Sequence, residues 1–167
     1  MSYNIDGGIA IEEKLRELIK KLTIENKTIS TMESCTGGGL VNAFTNIEGA
    51  SEVIKFSAVT YSNEYKIKMG VSKEIIDKYT VYSKETAEAM AKAIAYFTNS
   101  NYGIGITGKL NRIDHYNLNG NDNEVFISIY NNDKKVFDTF SLVVTKSSRK
   151  ENKEDVIIKV LEHLVNC

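Results

Sequence analysis

The segment Glu33-Ser34-Cys35-Thr36-Gly37-Gly38-Gly39 gathers small and hydroxyl-bearing residues between a short β-branched run and an apolar run. At a strand-to-helix junction, small residues let the backbone approach a ligand closely. The amides of the helix N-terminus point outward and, with the helix dipole, make an anion or phosphate site. Ser34 and Thr36 add hydroxyls. A tight β–α turn capped by Thr36 accounts for the same residues equally well. The segment is not a P-loop, because the lysine and its four-residue spacer are absent, and it lacks the second half of G-x-G-x-x-G.

A second cluster is Tyr61-Ser62-Asn63-Glu64-Tyr65-Lys66. Tyr61 and Lys66, five residues apart, can face one pocket across a strand-to-helix turn. A lysine in a desolvated pocket loses its charge and acts as a base. A serine hydroxyl needs such a partner, since it is a weak nucleophile at its own pKa. On spacing alone, though, a solvated helix lysine is the more frequent outcome. Thr107-Gly108 ends a third apolar run, and Arg149 precedes the last one. A lone arginine usually pairs on the surface, yet its planar fork suits a phosphate. Cys35 reads as a small packed residue rather than a thiolate, and His115 lies in a polar loop that no pattern ties to it. The two histidines, His115 and His163, stand at no metal-ligand spacing from a cysteine, so no metal is expected.

These residues need elements to hold them. Ile11, Leu15, Leu18, Ile19 and Leu22 recur at helical spacing, after a lead-in over residues 1–10 that ends near Gly7-Gly8. Thr28 to Met32 and Val53 to Tyr61 read as strands, the first running straight into the Ser34 segment. Leu40 to Phe44 suits a helix, helices are expected to start at Asn63 and Ser72, and another runs over residues 83–97. Tyr102 to Thr107 is a strand whose Gly103 and Gly105 signal close approach of another backbone or a ligand. Glu124 to Tyr130 and Val136 to Val144 form a hairpin about Asn131-Asn132-Asp133, and an amphipathic helix closes the chain. Strands alternating with helices imply a mixed, mostly parallel sheet covered on both faces, a three-layer α/β/α sandwich. Ligands then sit beyond the carboxyl ends of the strands, where Ser34, Tyr61 and Thr107 all fall.

The bulk composition narrows the partners. The 167 residues suit one domain, read as residues 11–167, and 42% are hydrophobic. The 21 basic and 22 acidic residues nearly cancel, which is not the footprint of a nucleic-acid or membrane-surface binder. No apolar run approaches the roughly 18 residues of a membrane span, and no signal peptide is read. Two cysteines make no disulfide framework, which fits a reduced, cytoplasmic setting.

The runs Glu33-Ser34-Cys35-Thr36-Gly37-Gly38, Val59-Thr60-Tyr61-Ser62-Asn63-Glu64-Tyr65-Lys66, Gly70-Val71, Val81-Tyr82-Ser83-Lys84-Glu85 and Ile106-Thr107-Gly108, in that order, resemble the C-terminal domain of the competence/damage-inducible protein CinA. That domain also exists as a stand-alone nicotinamide mononucleotide (NMN) deamidase. The resemblance runs from about Ile11 to the end. It implies a three-layer α/β/α fold, no cofactor or metal, and hydrolysis of the NMN amide to nicotinic acid mononucleotide and ammonia. By resemblance Ser34 is the nucleophile, with Tyr61 and Lys66 relaying protons. Thr36, Gly37 and Gly38 surround the substrate at the helix start, Thr107 lines the pocket, and Arg149 meets the phosphate. A homo-oligomer is implied as well.

The chain departs from the family pattern after its third strand. The family reads T-G-I-A-G-P there, whereas this chain reads Thr107-Gly108-Lys109-Leu110-Asn111-Arg112-Ile113-Asp114-His115-Tyr116 and contains no proline. The family's Gly-Asp-Arg before the last helix is Ser147-Ser148-Arg149 here. Two functions follow: the amidohydrolase, or a non-catalytic nucleotide-binding or interaction domain that kept the pocket with a changed substrate loop.

Overall fold

The computed structural model describes residues 5–167; Met1 to Asn4 of the expected lead-in lie outside the described residues. Helix α1 spans Ile5–Ile24. It therefore starts six residues before Ile11 and runs through Gly7 and Gly8. Each glycine costs about 1 kcal/mol against alanine inside a helix, which weakens the first turns without ending them. Leu15, Leu18, Ile19 and Leu22 are buried, as their spacing implies.

Strand β1, Ile29–Glu33, is buried along its whole length, and α2 follows over Gly39–Thr45. A short 3-10 turn, Ala50–Glu52, leads into β2, Ile54–Val59. Helix α3 spans Asn63–Lys68, α4 Lys73–Tyr79 and α5 Lys84–Thr98. Ser62 caps α3 by accepting from the Tyr65 amide, and Ser83 caps α5 by accepting from the Thr86 amide. Ser72 stands at the N-cap of α4, but its hydroxyl makes no capping bond. Strand β3 is Tyr102–Gly108, the hairpin is β4, Glu124–Asn131, and β5, Val136–Val143, and α6 is Arg149–Leu164.

The sheet order is β2-β1-β3-β4-β5. β1 pairs in parallel with β2 and β3, and β4 runs antiparallel to both β3 and β5. Four of the five strands thus point one way, with β4 alone reversed. Helices α1, α2 and α6 bury Leu18, Phe44, Val160 and Leu161 against Ile29, Ile104, Ile106 and Ile127 on one face. On the other face Met90 and Ile94 of α5 and Ile76 of α4 close over Met32. The result is the three-layer α/β/α sandwich. Among the described residues, no helix is long and apolar enough to cross a membrane.

Gly103 and Gly105 serve the packing of α5. A Cβ at Gly103 would lie 2.0 Å from the Ala91 carbonyl oxygen, and one at Gly105 2.2 Å from that of Ala87. The close approach that these glycines signal is to a helix backbone, not to a ligand. Seating α5 this deeply fixes the sheet's second face and, through it, the loops at the strand ends.

Candidate active site

The carboxyl ends of β1, β2 and β3 are stitched together just past their last ladder bonds. The Ser34 amide donates to the Ile106 carbonyl, and the Thr60 amide donates to the Glu33 carbonyl. This places Ser34, Tyr61 and Gly108 on one rim, where a cavity of about 580 Å³ opens.

Ser34 lines this cavity, and its hydroxyl meets the buried Lys66 amine, which is not itself among the lining residues. Lys66 Nζ lies 3.1 Å from Ser34 Oγ and 2.8 Å from the Thr60 carbonyl oxygen. Lys66 is 2% exposed, so the solvated-lysine alternative fails. It sits in the last turn of α3, and α3 is turned by the Ser62 cap so that this residue points back under the strand ends. Burial lowers the Lys66 pKa to about 8, against the opposing pull of Cys35 and Asp114. At neutral pH the amine therefore holds a usable fraction of its neutral, proton-accepting form.

Cys35 is the small packed residue that the sequence suggests. Its thiol is buried and pushed up to about 12 by desolvation, which leaves no thiolate for nucleophilic work. His115 is exposed and is not among the residues lining the cavity.

Glu33 has the largest organising role in the glycine-rich turn. Its buried carboxylate accepts from the Thr31 and Thr36 hydroxyls and from the Leu40 and Val41 amides. The first amides of α2 are therefore occupied from within the protein, and the anion site expected at this helix start is filled by Glu33. Thr36, Gly37 and Gly38 do not line the cavity, since the Thr36 hydroxyl is committed to Glu33 at 2.7 Å. Thr107 does not line it either: fully buried, it donates to the Val81 carbonyl oxygen at 2.9 Å. That bond fixes Val81 and so sets Tyr82 on the cavity wall. Closest to Ser34, the amides of Cys35 and Thr36 have no acceptor among the described residues.

Tyr61 and Arg149 meet at the mouth. Arg149 Nη2 donates to the Tyr61 hydroxyl at 3.3 Å, and both residues line the cavity. Tyr61 is 65% exposed and bonds to neither Ser34 nor Lys66. Arg149 opens α6 behind the Ser148 cap. The buried Asn152 clamps the approach to that helix by accepting from the Lys146 amide and donating to its carbonyl.

About half of the lining comes from the segment after β3, which departs from the family pattern. Lys109 is buried there, 3.1 Å from the Asp122 carboxylate and over the Tyr82 ring. The Tyr82 hydroxyl donates to Asp114, and the Tyr116 amide and Asn117 side chain also donate to that carboxylate. Burial opposes ionisation of Asp114, but these three bonds outweigh it and hold the carboxyl below its usual range. The same wall raises the Tyr82 pKa, through burial first and its bond to Asp114 second. Asn63 ties the loop to α3 by a 3.0 Å bond to Asn117. Sequence reading missed Tyr82, Asp114, Asn117 and Asn152 as site-building residues. Tyr82 alone carried a signal, through its place in the Val81-Tyr82-Ser83 run. Among the described residues, no three His, Cys, Asp or Glu side chains gather into a metal-binding group.

Comparison with known proteins agrees with this architecture. A competence/damage-inducible protein of Agrobacterium tumefaciens superposes with a TM-score of 0.84 at 28% identity, covering 99% of this chain and 98% of that one. A CinA-superfamily protein of Enterobacter cloacae matches at the level of fold, with a TM-score of 0.85, 22% identity, and coverage of 93% and 90%. Among curated relatives, a competence-damage inducible protein of Clostridium perfringens is 46% identical over 99 residues, 58% of this chain and 24% of its own. One of Clostridium novyi is 43% identical over 109 residues, 65% of this chain and 26% of its own. The chain thus spans about a quarter of the length of these curated relatives. The CinA C-terminal domain family model matches residues 11–167, and the chain belongs to that family.

Proposed function

We propose that this protein is a serine amidohydrolase that deamidates nicotinamide mononucleotide in the cytoplasm. The observation that carries this reading is the buried Lys66 amine 3.1 Å from the Ser34 hydroxyl, with a pKa lowered to about 8. Neutral Lys66 takes the Ser34 proton as the oxygen attacks the carboxamide carbon. The negative charge that develops on the carbonyl oxygen is met by the Cys35 amide, which lines the cavity and has no acceptor among the described residues. As the tetrahedral intermediate collapses, the C–N bond breaks, the Lys66 ammonium returns its proton to nitrogen, and ammonia leaves. Lys66 then takes a proton from the water that attacks the Ser34 ester and passes it to the Ser34 oxygen as the ester C–O bond breaks, which releases the carboxylic acid and restores the neutral amine. Arg149, braced by Tyr61, binds the phosphate at the mouth. Tyr61 acts here by orienting Arg149.

The deciding experiment incubates the purified chain with NMN and measures ammonia. Turnover is expected, and Ser34→Ala and Lys66→Ala chains that still fold are expected to lose it. Wild-type rates in either variant would remove Ser34 and Lys66 from the mechanism.

One observation favours a second reading, a nucleotide-binding domain without turnover. The segment that supplies about half of the cavity lining is the one that departs from the family pattern. Thermal stabilisation by NMN without ammonia release would select it, because a ligand that binds only the native state raises stability.

A further inference from the structure

Three ionised side chains line the cavity without an ion pair among the described residues: Asp114, Arg112 and Arg149. The fourth, Lys109, is neutralised by Asp122. Asp114 is held by neutral donors and makes no ion pair among the described residues; its field reaches the buried Lys66, but no cation among them contacts it on the cavity wall. Such a charge is met most favourably by a ligand cation brought out of water beside it. The wall around it is aromatic: Tyr61, Tyr82 and Tyr116 line the same cavity. Tyrosine rings with a carboxylate form the environment that recognises organic cations, because the ring faces carry negative potential. Lys109 already lies 5.0 Å over the Tyr82 ring, so Tyr82 acts mainly by holding Asp114. Tyr116 is 96% exposed, and no cation of the described residues lies over its ring, which leaves a face for a ligand ring.

We propose that Asp114, with Tyr116 and Tyr61, recognises the positive charge of a substrate's N-alkylated pyridinium ring and selects it over the neutral dihydropyridine. This specificity rests on the NMN reading above for the ring's identity, but its test is separable from turnover. Asp114 and both arginines together suit a ligand that is cationic at the ring and anionic at the phosphate. The loop that departs from the family pattern then supplies the ring-reading carboxylate.

The test is titration calorimetry on the 167-residue chain carrying Ser34→Ala, so that hydrolysis does not intrude, with NMN and with its reduced form. The two ligands share phosphate, ribose and carboxamide, and differ in ring charge. NMN is expected to bind about tenfold or more tightly than the reduced form, as one desolvated charge contact implies. Adding Asp114→Asn should collapse that preference to within about twofold while the affinity for the reduced form stays unchanged. If the Asn variant binds neither ligand, Asp114→Glu must restore the preference, and its failure to do so overturns the proposal. No preference without the Asp114 change, a preference that survives Asp114→Asn, or no binding of either ligand also overturns it. Ammonia release by the wild-type chain is scored separately. Preference without turnover sinks the hydrolase alone, and turnover without preference sinks the cation reading alone.

Discussion

Lys66 reaches Ser34 from a different β–α unit: the hydroxyl stands just after β1 and the amine in the last turn of α3, yet they lie 3.1 Å apart. Two short polypeptide links at neighbouring strand ends converge on one point, and the Lys66 bond to the Thr60 carbonyl holds the amine there. This pair carries both the chemistry and its pH dependence.

The rate of NMN hydrolysis should rise with pH and level off above about 8, the pKa to which burial lowers Lys66. The neutral amine is the active form, so protonation below that value removes activity. A flat profile from mildly acidic to alkaline pH would rule out Lys66 as the base.

The same shift bears on stability. Lys66 falls from 10.5 unfolded to about 8 folded, so between those values the unfolded chain holds a proton that the folded chain lacks. Stability attributable to this group therefore rises with pH across that window, and the burial penalty is fully present below about 8. Lys66→Met should flatten that slope in urea melts taken at pH 7.5, 9 and 10. It should also cut turnover about 10²–10⁴-fold, the usual size of a general-base contribution.

Glu33→Gln should destabilise the chain by about 3 kcal/mol and suppress turnover. Both carboxylate oxygens accept two bonds each, from hydroxyls and from α2 amides. A glutamine presents an NH₂ group to one of those donor pairs and leaves two buried donors unmatched. Urea denaturation reads the cost, and a stability loss below about 0.5 kcal/mol would refute this account of the turn.

Gly103→Ala and Gly105→Ala should each cost about 3 kcal/mol or more, because the new methyl would meet α5 carbonyl oxygens that cannot yield without moving the helix. Activity per folded molecule is expected to fall as well, since α5 begins beside Tyr82 and Ser83. Wild-type stability in either variant would contradict the close seating of α5.

The layers were legible because they follow from strong local signals: helical spacing of apolar residues, β-branched runs, and strand ends feeding small-residue turns. The strand order was not legible, and the Ser34–Lys66 pairing came from the family resemblance, since spacing alone favoured a solvated lysine. The start of α1 was not, because Gly7 and Gly8 read as a break and helix propagation overrode them. Thr36, Gly37, Gly38 and Thr107 were expected at the pocket by resemblance, and a motif carries residue types, not the direction in which a side chain turns. In the fold, Thr36 and Thr107 turn inward to Glu33 and Val81. The Asp114 wall had no periodic signal at all. It is a loop assembled by long-range bonds to Tyr82 and Asn63, which no local pattern encodes.

Tyr61 offers the sharpest discrimination between two mechanisms. A proton relay would need its hydroxyl beside Ser34 or Lys66, but that hydroxyl accepts from Arg149 and stands largely in solvent. Removing it should loosen the arginine without touching the hydroxyl–amine pair. Tyr61→Phe is therefore expected to raise KM for NMN about threefold to tenfold with kcat nearly unchanged, the signature of lost uniform binding. Arg149→Ala should show the same split more strongly, and its effect should shrink as salt screens the phosphate contact. A fall in kcat of about a hundredfold in Tyr61→Phe, with KM preserved, would return Tyr61 to the proton path and overturn its role as a brace for Arg149.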